Sequence, residues 1–169
     1  MKVPHGDNLA ALLPVLPVFL SYVLSFIYVG IYWNNHHHLL HAARHIDGRI
    51  LWHNLHLLFW LSLFPFATAW MGENHFSALP TALYGVVLLM AATAYHLLVA
   101  ALIRHHGVTS EFAQAFGSDT KGKLSIAAYL AGAPLSVFYP WVGYLIYIAV
   151  ALGWFIPDRR VEKPAAPRD

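Results

Sequence analysis

Five apolar runs separated by polar stretches set the pattern of this chain. Each is near the roughly 17–25 residues that a helix needs to cross a ~30 Å hydrocarbon core. They predict membrane helices at about 9–33, 50–71, 79–103, 124–139 and 141–156. Pro14 and Pro17 fall near the start of the first, where proline costs least. Pro65 predicts a kink in the second. The last two runs are short, but joined into one helix they would be about 50 Å long at 1.5 Å per residue, well beyond the core. A tight turn at Tyr139-Pro140 is therefore expected, and the fold class is all-α: a polytopic membrane helical bundle with five spans.

The distribution of charge supports that count. With five spans, Arg44, Arg49, Arg104, Lys121, Lys123, Arg159, Arg160, Lys163 and Arg168 share one side, and Lys2 stands alone on the other; with four, the split is five against five. The positive-inside rule prefers the first arrangement and puts the C-terminus in the cytoplasm. Tryptophans agree, with Trp33, Trp52 and Trp154 at the basic face and Trp70 and Trp141 at the opposite one. Residues 1–7 then read as an external loop, and a further helix upstream would bring both ends of the chain to the cytoplasmic side. Six spans are thus expected of a complete subunit. The charged, proline-containing residues 157–169 read as a disordered cytoplasmic tail.

Composition narrows the chemistry. The 169 residues are 59% hydrophobic and 11% charged, whereas about a quarter of a soluble domain is charged. Cysteine is absent, which excludes disulfides, thiolate metal sites and cysteine nucleophiles. No basic stripe with interleaved aromatics suggests a nucleic-acid partner. None of the predicted spans holds Asp, Glu, Lys or Arg, which weighs against a carrier working through membrane carboxylates, a charged-ring filter, and a membrane enzyme. Val142-Gly143-Tyr144 superficially matches a piece of a carbonyl filter but sits inside an apolar helix. Ser21, Ser25, Tyr28, Tyr32 and Asn35 share one face of the first helix, which should look into the bundle. Ala127 with Ala131, and Ala128 with Gly132, form small-xxx-small pairs suited to close helix contact.

The polar layer at the ends of the first two helices is the chemically rich stretch. Seven of the twelve histidines lie between His36 and His56. His37, His41 and His45 are spaced i, i+4 and i+8, so a helix continuing past the membrane would stack them. A metal held by that cluster, or a haem between His96 and a histidine of the first two helices, is the alternative functional reading. The leading one assigns no metal and no cofactor. His36, His37 and Asn54 would meet where both helices enter the membrane, and buried imidazole and amide groups there need partners or cost roughly 1–3 kcal/mol each.

The runs Tyr32-Trp33-Asn34-Asn35-His36-His37, Leu51-Trp52-His53-Asn54-Leu55 and Leu61-Ser62-Leu63-Phe64-Pro65-Phe66 resemble the second and third helices of the transmembrane protein 175 family, the endosomal and lysosomal potassium channels and their prokaryotic relatives. The resemblance implies a six-helix subunit of a potassium-permeable channel, a homotetramer in prokaryotic members, in an inner membrane and conducting passively. In that family the pore is lined by a first helix bearing a Phe-Ser-Asp signature, and this sequence holds no such motif. By resemblance, Trp33, His36, His37 and Asn54 form the polar network that supports the pore helix. The filter residues are expected on a helix upstream of this chain, whose gene product reads as N-terminally truncated. The expected partners are potassium ions, lipid and further copies of the chain.

Overall fold

A computed structural model describes residues 9–43, 45–117 and 119–155. The expected external loop at 1–7 and the tail at 157–169 lie outside them. Among the described residues every regular element is helical: a 3-10 helix at Leu9–Val15, then α1 (Leu16–Ala42), α2 (Gly48–Ser62), α3 (Phe64–Glu73), α4 (Ala78–His106), the short α5 (Glu111–Phe116), α6 (Thr120–Phe138) and α7 (Pro140–Phe155). Three stretches, Leu12–Ala42, Gly48–Glu73 and Ala78–His106, are long and apolar enough to cross a membrane; Pro140–Phe155 is a shorter apolar helix. α6 packs against α4 and α7, and the start of α2, the end of α4 and the start of α6 carry Arg49, Arg104, Lys121 and Lys123, the basic end of the bundle.

Local chemistry explains the boundaries. Proline at position 14 falls in the 3-10 turn, and Pro17 falls at the second position of α1, where its missing N–H removes no helical bond. Pro65 does more than kink the second pass. It lacks the N–H that Leu61 would bond and its ring crowds that carbonyl, so the helix breaks at Leu63. The Leu63 N–H turns back to Trp60 at 3.2 Å, and Ala67 N–H restarts the ladder on the Leu63 carbonyl at 2.9 Å. The Thr68 hydroxyl covers the Phe64 carbonyl at 2.7 Å. The helix α1 continues past the predicted end at Trp33 to Ala42 because Leu39 is fully buried among Ile50, Leu57, Leu98 and Leu102. Asp47 then caps α2, its carboxylate accepting the Ile50 N–H at 2.9 Å.

Four tyrosines, Tyr28, Tyr84, Tyr129 and Tyr147, are the largest fully buried side chains. They pack edge to face: Tyr28 on Tyr84 at 6.2 Å between centroids, Tyr84 on Tyr147 at 5.7 Å. In a dry interior each hydroxyl needs a partner. Tyr28 donates to the Tyr147 carbonyl, Tyr129 donates to the Tyr28 oxygen at 3.3 Å, and Tyr147 lies 3.0 Å from the Ser136 hydroxyl. The Tyr84 hydroxyl, by contrast, is buried without one.

These rings fit because glycines let the backbones approach. A Cβ on Gly85 of α4 would lie 2.0 Å from the Tyr147 hydroxyl oxygen, 2.7 Å from the ring carbon bearing it and 3.0 Å from the Ala133 Cβ. A Cβ on Gly143 would fall 1.7 Å from the Ser136 oxygen. Ser136 with Gly143, Gly132 with Tyr147, and Ser125 with Trp154 form successive rungs of an antiparallel α6–α7 pair after the chain reverses at Tyr139. The packed line on α6 is Ser125, Tyr129, Gly132, Ala133 and Ser136. The predicted pair Ala127 and Ala131 faces outward instead, one helical step off that line. Val142, Gly143 and Tyr144 are helical, with Gly143 spent on this contact.

Helix propensity alone favours alanine over glycine by about 1 kcal/mol. At Gly153, where an added Cβ meets nothing within 4 Å, Gly153→Ala should therefore raise thermal stability slightly. At Gly85 the clash with a rigid ring outweighs propensity, and Gly85→Ala should lower stability by about 1–3 kcal/mol. Melting of both variants in detergent checks the contrast in sign.

Candidate functional site

The site lies at the basic end of the bundle, where α1 hands over to α2. Leu39, Ile50 and Leu57 clamp the corner from the apolar side. This fixes the register of the polar residues one turn away. His36 and Asn54 meet across the two helices, with Nε2 of the imidazole 2.6 Å from Oδ1 of the amide. The amide oxygen accepts, so His36 donates through Nε2 and its Nδ1 keeps a free lone pair. Among the described residues the Asn54 amide nitrogen has no acceptor. The pair thus presents one acceptor and two donors to whatever docks beside it.

Trp33 and His37 form a second pair, stacked with centroids 5.4 Å apart and planes at 13°. His41 extends the stack, 6.1 Å from His37 at 12°. This ladder runs along the outer face of α1, and Trp33 is 66% exposed. An open groove of roughly 360 Å³ lies beside it, lined by Trp33, His36, His37, Leu40 and His41. The four residues expected to act together are therefore two adjacent couples: His36 bonded to Asn54 inside, Trp33 stacked on His37 outside.

Three other histidines have local tasks. His56 Nε2 accepts the Trp60 indole N–H at 2.9 Å. His106 lies 2.9 Å from the Leu102 carbonyl and stacks on Phe112 of α5 at 5.0 Å. His105 pairs with Asp47 at 3.4 Å, linking the end of α4 to the start of α2. His45 lies beyond the last residue of α1, so it does not extend the His37–His41 stack. Among the described residues no three His, Asp or Glu side chains gather to hold a metal ion. No hydrogen bond or ring contact joins His96 to another histidine there. The metal or haem reading of His36–His56 gains no support from this geometry.

Sequence patterning pointed inward along one face of α1, and the structure turns Ser21, Ser25 and Tyr28 into the core, with Tyr32 and Asn35 half-buried. It did not find the partners of that face on other helices. Tyr95 of α4 donates to the Asn35 carbonyl at 3.4 Å, and its ring meets Tyr32 edge to face at 6.3 Å. Together with Tyr28, Tyr129, Ser125 and Trp154 they enclose a small cavity. Tyr129 and Ser125 on one α6 face were the available signal, since both recur at helical spacing with Gly132 and Ser136.

Asp47 is held below the usual carboxylate range, chiefly by the Ile50 N–H, which outweighs the opposing desolvation, with His105 adding to the lowering. A depressed folded value means that its contribution to stability is complete above its unfolded value of about 3.9 and is lost as pH falls through the folded one. Asp47→Asn keeps a capping oxygen but should flatten that part of the acid limb when melting temperature is followed from pH 6 to pH 3. For the inner pair, a double-mutant cycle with His36→Ala and Asn54→Ala should give a coupling of about 0.5–1.5 kcal/mol. A cycle with Trp33→Ala and Asn54→Ala should give none.

The sequence pattern of the endosomal/lysosomal potassium channel TMEM175 family matches residues 1–65, a segment that holds Trp33, His36, His37 and Asn54. A potassium channel of Chryseobacterium sp. is 52% identical over 163 residues, covering 96% of this chain and 85% of that protein. A potassium channel of Streptomyces collinus is 30% identical over 106 residues, 58% of this chain and 52% of that protein. No solved structure matches the chain.

Proposed function

The chain belongs to the TMEM175 family of potassium channels, and from that premise we propose that it is a subunit of an oligomeric, potassium-permeable channel that conducts passively in a prokaryotic inner membrane. The observation that carries the proposal is identity of 52% along nearly the whole chain with a protein named as a potassium channel. The physics of the subunit agrees. Its interior is filled by tyrosines, Phe64 and aliphatic side chains, and no charged residue lies in that core. An ion crossing through one bundle would have to displace those rings, so the route runs between copies, four of them by family resemblance.

The residues lining the route are unassigned among the described helices. In this reading a pore-lining helix, whichever chain supplies it, docks its polar start against the His36 lone pair, the Asn54 amide and the Trp33–His37 stack. Those four residues then hold the pore helix in place without touching the ion. The basic end, with Arg49, Arg104, Lys121 and Lys123, faces the cytoplasm by the positive-inside rule.

Purified protein in liposomes tests the proposal. A potassium gradient should dissipate faster than in protein-free vesicles, with no added energy source. In a conducting preparation, His36→Ala with Asn54→Ala should cut the flux several-fold while the bundle stays folded. Folded, oligomeric protein that leaves the gradient untouched would overturn the channel reading, and unchanged flux in the double variant would overturn the role of the pair.

A further inference from the structure

Two imidazoles lie well inside the spans, away from the α1–α2 corner, with hydrogen-bonding capacity that the subunit does not use. His96 is in α4, and its Nδ1 is buried with no partner. The rest of the ring is partly exposed, and among the described residues no hydrogen bond reaches Nε2 either. His56 is in α2, also partly exposed. Its Nε2 accepts the Trp60 indole N–H at 2.9 Å, so the ring proton of the neutral form sits on Nδ1. That donor has no acceptor among the described residues. Both helices belong to stretches long and apolar enough to cross a membrane, where no water stands in for a missing partner and an unpaired polar group is costly.

The two rings are at one height. Asp47, just before α2, and His105, near the end of α4, meet at 3.4 Å. From that level His56 is nine residues along α2 and His96 nine residues back along α4, each about 14 Å into its helix at 1.5 Å per residue. They belong to different flanks of the subunit. Ala94, Leu98 and Ala101 make the face of α4 that clusters with Leu57 of α2. His96 instead shares a stripe with Ala92 and Gly85, four and eleven residues before it, and a Cβ on Gly85 would meet Ala133 of α6 at 3.0 Å. His96 is therefore on the α6 side of α4, and His56 is on the helix that covers the other side.

We propose that these histidines join neighbouring copies of this chain, the Nδ1–H of His56 on one copy donating to Nε2 of His96 on the next. The inference rests on the oligomeric assembly proposed above and names a contact that builds it. Rotation about an axis normal to the membrane keeps every residue at its own height, so a head-to-tail ring joins groups of equal height on different flanks of the subunit. His56 and His96 meet both conditions. A neutral imidazole has one donor and one acceptor, so accepting at Nε2 puts the His96 proton on Nδ1, one helical turn from the Ala92 carbonyl. A rotation of the ring gives it that carbonyl, as Nδ1 of His106 reaches the Leu102 carbonyl at 2.9 Å in the same helix.

The chain holds no cysteine, so the contact is testable in membranes with both histidines in place. Trp52 and Ala100, one turn nearer the basic end than His56 and His96, are again at equal height. With Trp52→Cys and Ala100→Cys in one chain, a membrane-permeant bis-methanethiosulfonate cross-linker should produce a ladder of dimers and larger species on a denaturing gel. Either cysteine alone should give none. Native mass spectrometry of the purified full chain reads assembly independently of cross-linking. There His56→Ala and His96→Ala should each lower the oligomer fraction severalfold at limiting dilution, and the double variant should lower it no further than either single one. If the rings faced lipid, His96→Ala would merely remove an unpaired polar group, and an oligomer left unchanged or strengthened by it overturns the inference. An intact oligomer with no ladder from the cysteine pair, or a dimer from Ala100→Cys alone, overturns it as well and leaves the assembly standing. A chain that is monomeric at every concentration overturns the assembly itself, and this contact with it.

Discussion

The bundle depends on the close approach of α4, α6 and α7 around one ring, that of Tyr147. Gly85 and Gly132 leave no side chain where it lies, and Gly143 accepts Ser136 from the facing helix. In a bilayer, burying apolar surface between helices gains little, because lipid is as apolar as leucine. Association must come from tight packing and from hydrogen bonds made inside. The buried tyrosines supply both: all four bring large rings, and the hydroxyls of Tyr28, Tyr129 and Tyr147 find a carbonyl or another hydroxyl nearby. Removing backbone proximity at Gly85 would strand those hydroxyls as well as create a clash.

A core filled in this way has a functional consequence. Five aromatic side chains, Tyr28, Phe64, Tyr84, Tyr129 and Tyr147, occupy the middle of the subunit, and an ion crossing one bundle would have to displace them. What it offers to its surroundings is concentrated at the α1–α2 corner, where hydrogen-bonding capacity remains after the internal pairing of His36 with Asn54. The same corner is tied to α4 by the Asp47–His105 pair and to α5 through His106 and Phe112. A segment docked there would be felt along the whole basic end. Family membership, the packed core and the unspent donors and acceptors of the corner are the three observations behind the proposal that conduction runs between subunits.

Much of the fold was legible because it depends on local properties. Run length and the exclusion of charge identify membrane helices without tertiary information, and the inward face of α1 follows from spacing alone. Helix ends were less legible. Burial of Leu39 carries α1 through Ala42 across a polar stretch, and Pro65 breaks its helix outright because Leu63 and Thr68 can take up the freed backbone groups. The small-residue pairs on α6 could not be ranked by sequence, since Ala127 and Gly132 differ by which neighbour meets them. At the site, sequence gathered Trp33, His36, His37 and Asn54 at one boundary; only coordinates divide them into an inner hydrogen-bonded couple and an outer stacked one. The tyrosine cavity was invisible for the same reason, being assembled from four helices that are far apart in the chain.

The central physical claim is that the exposed groups beside His36 and Asn54 are covered by protein in the working assembly. The absence of native cysteine makes a direct measurement simple. With Asn34→Cys, exposed in the isolated subunit, and Val108→Cys as a reference on the α4–α5 connection, 76% exposed, modification by a water-soluble thiol reagent can be timed in liposomes opened to both sides. Protection of position 34 by tenfold or more relative to position 108 is the predicted result, and loss of that protection should follow His36→Ala with Asn54→Ala. Equal rates at the two positions in the wild-type background would contradict the account.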